Sequence, residues 1–190
     1  MVERMATERE LMLAGELYDP RDPELAGARR RARLLCTALN ATRDDEPEKR
    51  AELLRELIPN TGAGLELEPP FFCDYGQNIT LGDRVFLNFN CVILDVAPVS
   101  IGSRVMFGPA VQLYSATHPL IAKERSSGRE LGKPIVIGDD VWLGGGTIVC
   151  PGVRIGARAV IGAGSVVTKD VPEGMLAVGN PCRVVRAIPE

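Results

Sequence analysis

The sequence predicts a mainly β fold of short strands wound into stacked coils, headed by a helical segment. Three observations predict it. Every sixth residue from Ile137 to Val167 is aliphatic: Ile137, Leu143, Val149, Ile155, Ile161 and Val167. Four positions after each comes a small or β-branched residue, at Val141, Thr147, Val153, Ala159, Ser165 and Val171. A period of six fits neither a helix at 3.6 residues per turn nor an alternating strand, and marks a repeat in which each hexad builds one face of a coil. The third observation is glycine directly after the aliphatic residue, at Gly82, Gly102, Gly108, Gly138, Gly144, Gly156 and Gly162. In a helix interior each would cost roughly 0.8–1.0 kcal/mol. At a sharp corner glycine is expected because it tolerates positive φ.

The elements follow in chain order. The first 60 residues carry 24 of the 47 charged residues but 2 of the 20 glycines, so the chain divides there into a helical cap, 1–60, and a coil, 61–190. Thr7-Glu8-Arg9-Glu10-Leu11-Met12 opens an amphipathic helix ending near Gly15. Glu24 to Leu39 sets Leu25, Ala28, Ala32, Leu35 and Leu39 on one stripe, and Glu48 to Ile58 sets Ala51, Leu54, Leu57 and Ile58 on another. Pro23 and Pro47 suit first turns, and Pro59-Asn60-Thr61-Gly62 ends the last helix. These helices are expected to cover the unpaired strand edge at the open end of the stack. The coil begins with Leu81, Leu87 and Ile93, with Val85, Cys91 and Ala97 at the small positions. A second block has Ile101, Phe107 and Leu113, with Val105, Val111 and Thr117. Two extra residues separate Ile93 from Ile101, a long loop is inserted at 119–134, and a tail closes the chain.

Composition narrows the classes. The hydrophobic share is 45% and the aromatic share 5%, which suits a narrow core of Val, Ile and Leu. A net charge of −3 favours no polyanion, so nucleic acid is not an expected partner. No run of 18 apolar residues points to a membrane span, and Met1-Val2-Glu3-Arg4 opens a charged segment rather than a signal peptide, so the expected location is cytoplasmic. Cys36, Cys73, Cys91, Cys150 and Cys182 form no CxxC pair and read as structural thiols.

Beyond the hexads, the chain carries a series of distinctive short motifs. The motifs are Ala14-Gly15-Glu16-Leu17-Tyr18, Phe72-Cys73-Asp74-Tyr75-Gly76-Gln77-Asn78-Ile79 and Asn88-Phe89-Asn90-Cys91-Val92-Ile93-Leu94-Asp95-Val96. They continue with Tyr114-Ser115-Ala116-Thr117-His118-Pro119, Gly132-Lys133-Pro134, Val141-Trp142-Leu143-Gly144-Gly145, Val167-Thr168-Lys169-Asp170-Val171-Pro172 and Gly179-Asn180-Pro181-Cys182-Arg183-Val184. With these motifs the chain resembles the maltose and galactoside O-acetyltransferases among the hexapeptide-repeat acyltransferases, and the resemblance implies a left-handed parallel β-helix of triangular cross-section, here of about five coils, against the usual right-handed crossover rule. It also implies acetyl-CoA as cosubstrate, direct acetyl transfer to a small sugar, and a homotrimer in which the 119–134 loop walls a cleft between subunits.

His118 is the chain's only histidine and stands directly before the inserted loop, on a rigid scaffold where functional residues concentrate. It matches the family's catalytic histidine. A sugar hydroxyl is a poor nucleophile at neutral pH, and an imidazole titrating near pH 6.5 can take its proton; a tetrahedral oxyanion then needs a donor. Asn88 and Asp74 match active-site positions. Asn88 either positions acceptor or histidine through its amide or satisfies its own corner, and Asp74 either accepts from sugar hydroxyls or is a solvated turn acid. Phe86 and Val96 stand where some galactoside-specific relatives carry Tyr and Asp, which favours a maltose or glucose type of acceptor. Tyr18 and Asp19 are candidates for the acceptor pocket, with Pro20 at the position of a relative's acceptor-binding acid. Toward the cofactor, Gly145 and Ala163, within Gly144-Gly145-Gly146 and Gly162-Ala163-Gly164, leave backbone open to a pantetheine arm. Trp142 either flanks that arm or packs on a neighbouring subunit. Thr168, Lys169 and Arg183 suit the phosphates.

No metal is expected, since one histidine cannot supply the three-histidine zinc set of the related β-helix carbonic anhydrases. A nucleophilic triad of Ser115, His118 and Asp95 is disfavoured because the nucleophile-elbow motif is absent. A second reading is acetylation of another hydroxyl or amine acceptor, such as an antibiotic or nucleotide-sugar. A third is a non-catalytic β-helix assembly module, against which His118 and Asn88 argue.

Overall fold

The computed structural model describes residues 5–189; the charged opening Met1–Arg4 lies outside the described residues. The first helix, α1 (Glu8–Ala14), starts at a reciprocal cap. The Thr7 hydroxyl accepts from the Glu10 amide at 3.1 Å, and the Thr7 amide donates to the Glu10 carboxylate at 2.8 Å. Gly15 ends it in the left-handed region, at φ 77°. Helix α2 (Pro23–Asn40) is capped by Asp22, whose carboxylate accepts from the amides of Glu24 and Leu25. Helix α3 (Pro47–Leu57) also begins on proline.

The buried stripe of α2 (Ala32, Leu35, Cys36, Leu39) and Leu54, Leu57 and Ile58 join the coil interior in one core. At its C-terminal end, α2 closes the open end of the stack through Asn40. The Asn40 side chain accepts from the Phe71 amide at 2.8 Å and donates to the Phe71 carbonyl at 2.9 Å, occupying a strand edge that would otherwise be free.

Along each coil the chain crosses three faces in turn. The first face stacks Asn60–Thr61, Ile79–Leu81, Val99–Ile101, Ile135–Ile137 and Arg154–Ile155. The second stacks Glu66–Leu67, Phe86–Leu87, Met106–Phe107, Trp142–Leu143, Val160–Ile161 and Met175–Val178. The third stacks Phe71–Cys73, Cys91–Leu94, Gln112–Tyr114, Ile148–Val149 and Val166–Val167. Pairing between coils is parallel throughout, and the solenoid makes about six turns, one more than the repeat count suggested. The expected tail is ordered: Arg183–Ala187 pairs antiparallel with Met175–Val178 and extends the second face.

The hexad aliphatics and their small partners point inward and are buried, with one exception. Thr117 is half-buried and belongs instead to a two-residue antiparallel pairing of Ala116–Thr117 with Leu131–Gly132. The chain leaves the coil at Ser115, so the inserted loop starts before the next hexad position can be reached.

The reason for the repeat glycines also needs correction. None of the seven has positive φ. A Cβ on Gly144 would stand 2.5 Å from the Ala163 amide nitrogen, and one on Gly138 would stand 2.6 Å from that of Ala157, so these glycines let successive coils touch. The left-handed residue comes two positions later in all seven cases: Arg84, Arg104, Ala110, Asp140, Gly146, Arg158 and Gly164.

The five cysteines are free thiols, with Cys36 and Cys73 sulfurs 3.9 Å apart between α2 and the third face. Among the described residues no helix is long and apolar enough to cross a membrane.

Candidate active site

Repeat glycines occupy the edge between the first and second faces and the edge between the second and third. The third–first edge has none. There the chain swings outward in three successive coils, at 74–78, at 95–98 and at the insertion. Buried side chains hold these bends, together with Gly76 at φ 74° in the first. Asp95 is fully buried; its Oδ1 accepts from the amides of Asp74 at 3.1 Å and Tyr75 at 2.8 Å, and its Oδ2 from that of Asn78 at 3.3 Å. One coil on, the buried Ser115 hydroxyl donates to the Leu94 carbonyl at 2.7 Å and accepts from the Ala97 amide at 2.9 Å. Both side chains are thus committed to the backbone, which leaves no Ser115–His118–Asp95 relay.

Along this edge lies a cleft of about 380 Å³, lined by Asp74, Tyr75, Leu94, Val96, Ala116 and His118 from the coil. Arg29 and Arg33 of α2 and Glu130 of the inserted loop line it too, as do Pro20 and Arg21. The structure therefore brings together two predicted residues distant in sequence, Asp74 and His118. His118 is exposed, and its ring makes no hydrogen bond among the described residues. Asp74 is half-buried; loss of solvation raises its carboxyl above the usual range, and Arg29 and Arg33 pull in the opposite direction. Arg29 donates to the Tyr75 hydroxyl at 2.7 Å and to the Pro20 carbonyl. Burial raises the Tyr75 phenol, against the pull of the Arg29 guanidinium.

Tyr18 does not line the cleft. It is fully buried, donates to Glu130 Oε2 at 2.8 Å and pairs with Glu130 along the backbone, so it holds the loop's return strand in place. Burial, then the Glu130 carboxylate, push its phenol strongly upward. Asp19 is taken by Arg21, whose hydrogen bond holds the carboxyl below its ordinary value. Pro20 supplies the lining in its place.

The other predicted residues lie on other surfaces. Asn88 sits at the second–third edge, where its Oδ1 accepts from the Phe89 amide at 2.8 Å, a corner bond. Gly145 and Ala163 stack on that same edge, with the Gly164 amide donating to the Gly145 carbonyl at 2.9 Å. Phe86 and Trp142 project from the adjacent second face in register with Met106. Arg183 opens the last strand beside Val178, while Thr168 and Lys169 are exposed at the far end of the third–first edge. Among the described residues, no group of three or more His, Cys, Asp or Glu side chains is arranged to hold a metal.

Arg29, Arg33, Tyr75 and Glu130 were not singled out from sequence. The spacing of Arg29 and Arg33 by four on the polar side of α2 is the signal that could have found them. Glu130 carries no such signal, since its place depends on where the inserted loop folds back.

Two family models match the chain: the maltose acetyltransferase hexapeptide capping motif over residues 11–62, and the bacterial transferase hexapeptide, six repeats, over residues 134–169. Nodulation protein L of Rhizobium meliloti is 49% identical over 178 residues, covering 94% of this chain and 97% of its own. Among solved structures, a maltose O-acetyltransferase from Clostridium difficile 630 superposes with a TM-score of 0.96 at 48% identity, over 98% of this chain and 100% of that one. A galactoside acetyltransferase in complex with coenzyme A superposes with a TM-score of 0.94 at 39% identity, over 98% and 92%.

Proposed function

This chain belongs to the hexapeptide-repeat acetyltransferases of the maltose and galactoside type, and we propose that it transfers acetyl from acetyl-CoA to a hydroxyl of a small sugar of the glucose or maltose kind. The observation that carries this reading is the cleft that joins His118 to Asp74. Its rim offers what a polyhydroxyl acceptor requires: carboxylate acceptors at Asp74 and Glu130, guanidinium donors at Arg29 and Arg33, and an accessible imidazole. In the reaction, the His118 imidazole takes the proton of the sugar hydroxyl as its oxygen bonds to the thioester carbonyl carbon. The C–S bond of the tetrahedral intermediate then breaks, and the imidazolium proton goes to the departing thiolate. No acyl-enzyme forms.

The cofactor residues we assign are Trp142, Gly145, Ala163, Thr168, Lys169 and Arg183. Gly145 and Ala163 form a small-residue track for the pantetheine arm, and Lys169 and Arg183 are exposed cations for phosphate. With Asn88, most of this set follows the second–third edge and second face, whereas Asp74 and His118 occupy the third–first edge. That division supports a homotrimer in which neighbouring chains appose different edges. Two apolar surfaces favour it. Phe86, Met106, Trp142 and Val160 stand in register on the outer second face, with Met106 52% and Trp142 50% exposed. Leu120, 94% exposed, and Ile121 crown the inserted loop beside His118.

The test is an acceptor panel of glucose, maltose and a β-galactoside with acetyl-CoA, read by thiol release and by the mass of the acetylated product. Glucose or maltose is expected to give the highest kcat/KM, because Val96 lines the cleft without a hydrogen bond to offer. A galactoside preference overturns the acceptor assignment, and acetylation of an amine or of no sugar overturns the reading. Light scattering is expected to give a trimer; a stable 20.5 kDa monomer overturns the assembly.

A further inference from the structure

We propose that Asp95 is a positioning residue for the acceptor side of the site, acting through the main chain of Asp74 and Tyr75; this rests on the reading that the cleft beside His118 receives the acceptor. The geometry starts with the turn Asp74–Asn78, which supplies two lining residues of the cleft. This bend leaves the coil between Phe71–Cys73 and Ile79–Leu81, so its amides have no neighbouring strand to bond. Asp95, on the next coil, supplies the acceptor for three of them: Asp74, Tyr75 and Asn78. The Asn78 side chain returns the link by donating to the Asp95 carbonyl at 2.7 Å. One carboxylate thus fixes both ends of the turn to the coil that also carries Val96, another lining residue.

A solvated polar turn could have satisfied those amides with water. A fully buried carboxylate is the costlier solution, since burial disfavours its charged form and the neighbouring Asp74 adds repulsion. What it provides is a fixed direction for Asp74. The Asp74 carboxylate has no hydrogen-bond partner of its own among the described residues, so its aim into the cleft depends on its backbone. Tyr75 is held from both sides, by Asp95 at its amide and by Arg29 at its hydroxyl. The clamp therefore sets the spacing between the acceptor-reading acid and the imidazole, and precise spacing of this kind is what a remote substitution can lose.

The experiment compares Asp95→Asn and Asp95→Ala with the wild type, in the intact protein, for the hydroxyl acceptor that the panel identifies. Asp95→Asn keeps one carbonyl oxygen for the amides, whereas Asp95→Ala keeps none. The expected result is a graded rise in acceptor KM, smaller for Asn and about 10–10² fold for Ala, with the acetyl-CoA KM unchanged. A purely structural role would lower the active fraction and depress apparent kcat for both substrates together, leaving each KM where it was. Amide hydrogen exchange is the second readout, and it needs no turnover: the amides of Asp74, Tyr75 and Asn78 are expected to lose protection in both variants. An acceptor KM unchanged in a folded Asp95→Asn protein whose three amides have lost protection overturns the proposal and leaves the sugar reading intact. A wild type that acetylates some other hydroxyl overturns the sugar reading, and the same KM comparison on that acceptor still decides the role of Asp95.

Discussion

From Ile135 to Val171 the chain advances by sixes, and its corners are made by glycine and by residues in the left-handed region. At the third–first edge nearer the helices it breaks that period in three successive coils, and its bends are braced by the buried side chains of Asp95 and Ser115. The two regions share one core and one strand pairing. The regular coils solve a packing problem, in which backbones must approach closely while a narrow interior stays filled. The broken edge gives up that economy to project Asp74, Val96 and His118 into one cleft. The comparison predicts that substitutions in the two regions fail differently, one in stability and the other in chemistry.

The largest effect is expected at the broken edge. His118→Ala should lower kcat by about 10²–10⁴, the usual loss for a positioned general base. Acetyl-CoA affinity by calorimetry and the unfolding midpoint should both stay near wild type, because the exposed ring bonds to nothing in the described chain. Near-wild-type turnover in the purified variant would place the base elsewhere.

In the regular stack the expectation reverses. Leu143 is fully buried in the core between Phe107 and Ile161 of adjacent coils. Leu143→Ala should cost about 2–5 kcal/mol in denaturant unfolding, through lost burial and the cavity left behind. The fraction that stays folded should turn over normally. A fall in turnover per folded molecule matching that of the His118 variant would erase the distinction between the regions.

How much could be read beforehand follows the same division. The hexads revealed the coil and its inward residues, because a repeat writes each local contact into the sequence many times over, and the apolar stripes at helical spacing revealed the helices. His118 and Asp74, which the fold brings to one cleft, were singled out by their motifs. Thr117 was misassigned because the hexad was extended one step past the point where the chain departs. Positive φ was assigned to the repeat glycines because glycine permits it, although the coils place that conformation two residues later, on Arg84 and Arg104 among others. Glu130, Arg29 and Arg33 reach the cleft because the insertion and cap fold onto the edge, and for Glu130 no short-range spacing encodes this. Asp95 sits within the two-residue break after Ile93, and that irregularity was the visible trace of the bend whose amides it accepts from.

A pH experiment sharpens the contrast at Asp95. Burial, reinforced by the charge of Asp74, raises its carboxyl from 3.8 to about 6, against the pull of its backbone donors. The native state therefore binds its proton more tightly than the unfolded chain. The associated stability is fully present below about pH 4 and is lost as pH rises through about 6. The size expected is roughly 3 kcal/mol, from about two pKa units at 1.36 kcal/mol each. Subtracting the unfolding free energy of Asp95→Asn at each pH isolates this contribution from the other titrating groups. Wild type should lose ground to the variant between pH 4 and 7. A difference that is flat with pH would mean that the carboxylate is not desolvated, and that the clamp holds the turn at no cost.

The smallest effects separate two glycines on one edge. Gly144 has an ordinary φ, but a Cβ there would meet the Ala163 amide nitrogen at 2.5 Å, so Gly144→Ala must push two coils apart. Overpacking of this kind costs about 1–3 kcal/mol. Gly164, at φ 68°, has nothing within 4 Å of an added Cβ. The equivalent left-handed position is held by Asn90 and Ala110 in earlier coils of the same edge. Asparagine tolerates that conformation, so Gly164→Asn should stay within about 0.5 kcal/mol of wild type, as an unstrained surface change does. If both variants were destabilised equally, backbone conformation rather than contact between coils would be the reason for glycine along these edges. If only Gly144→Ala is destabilised, the hexad glycine along this edge records the distance between stacked chains.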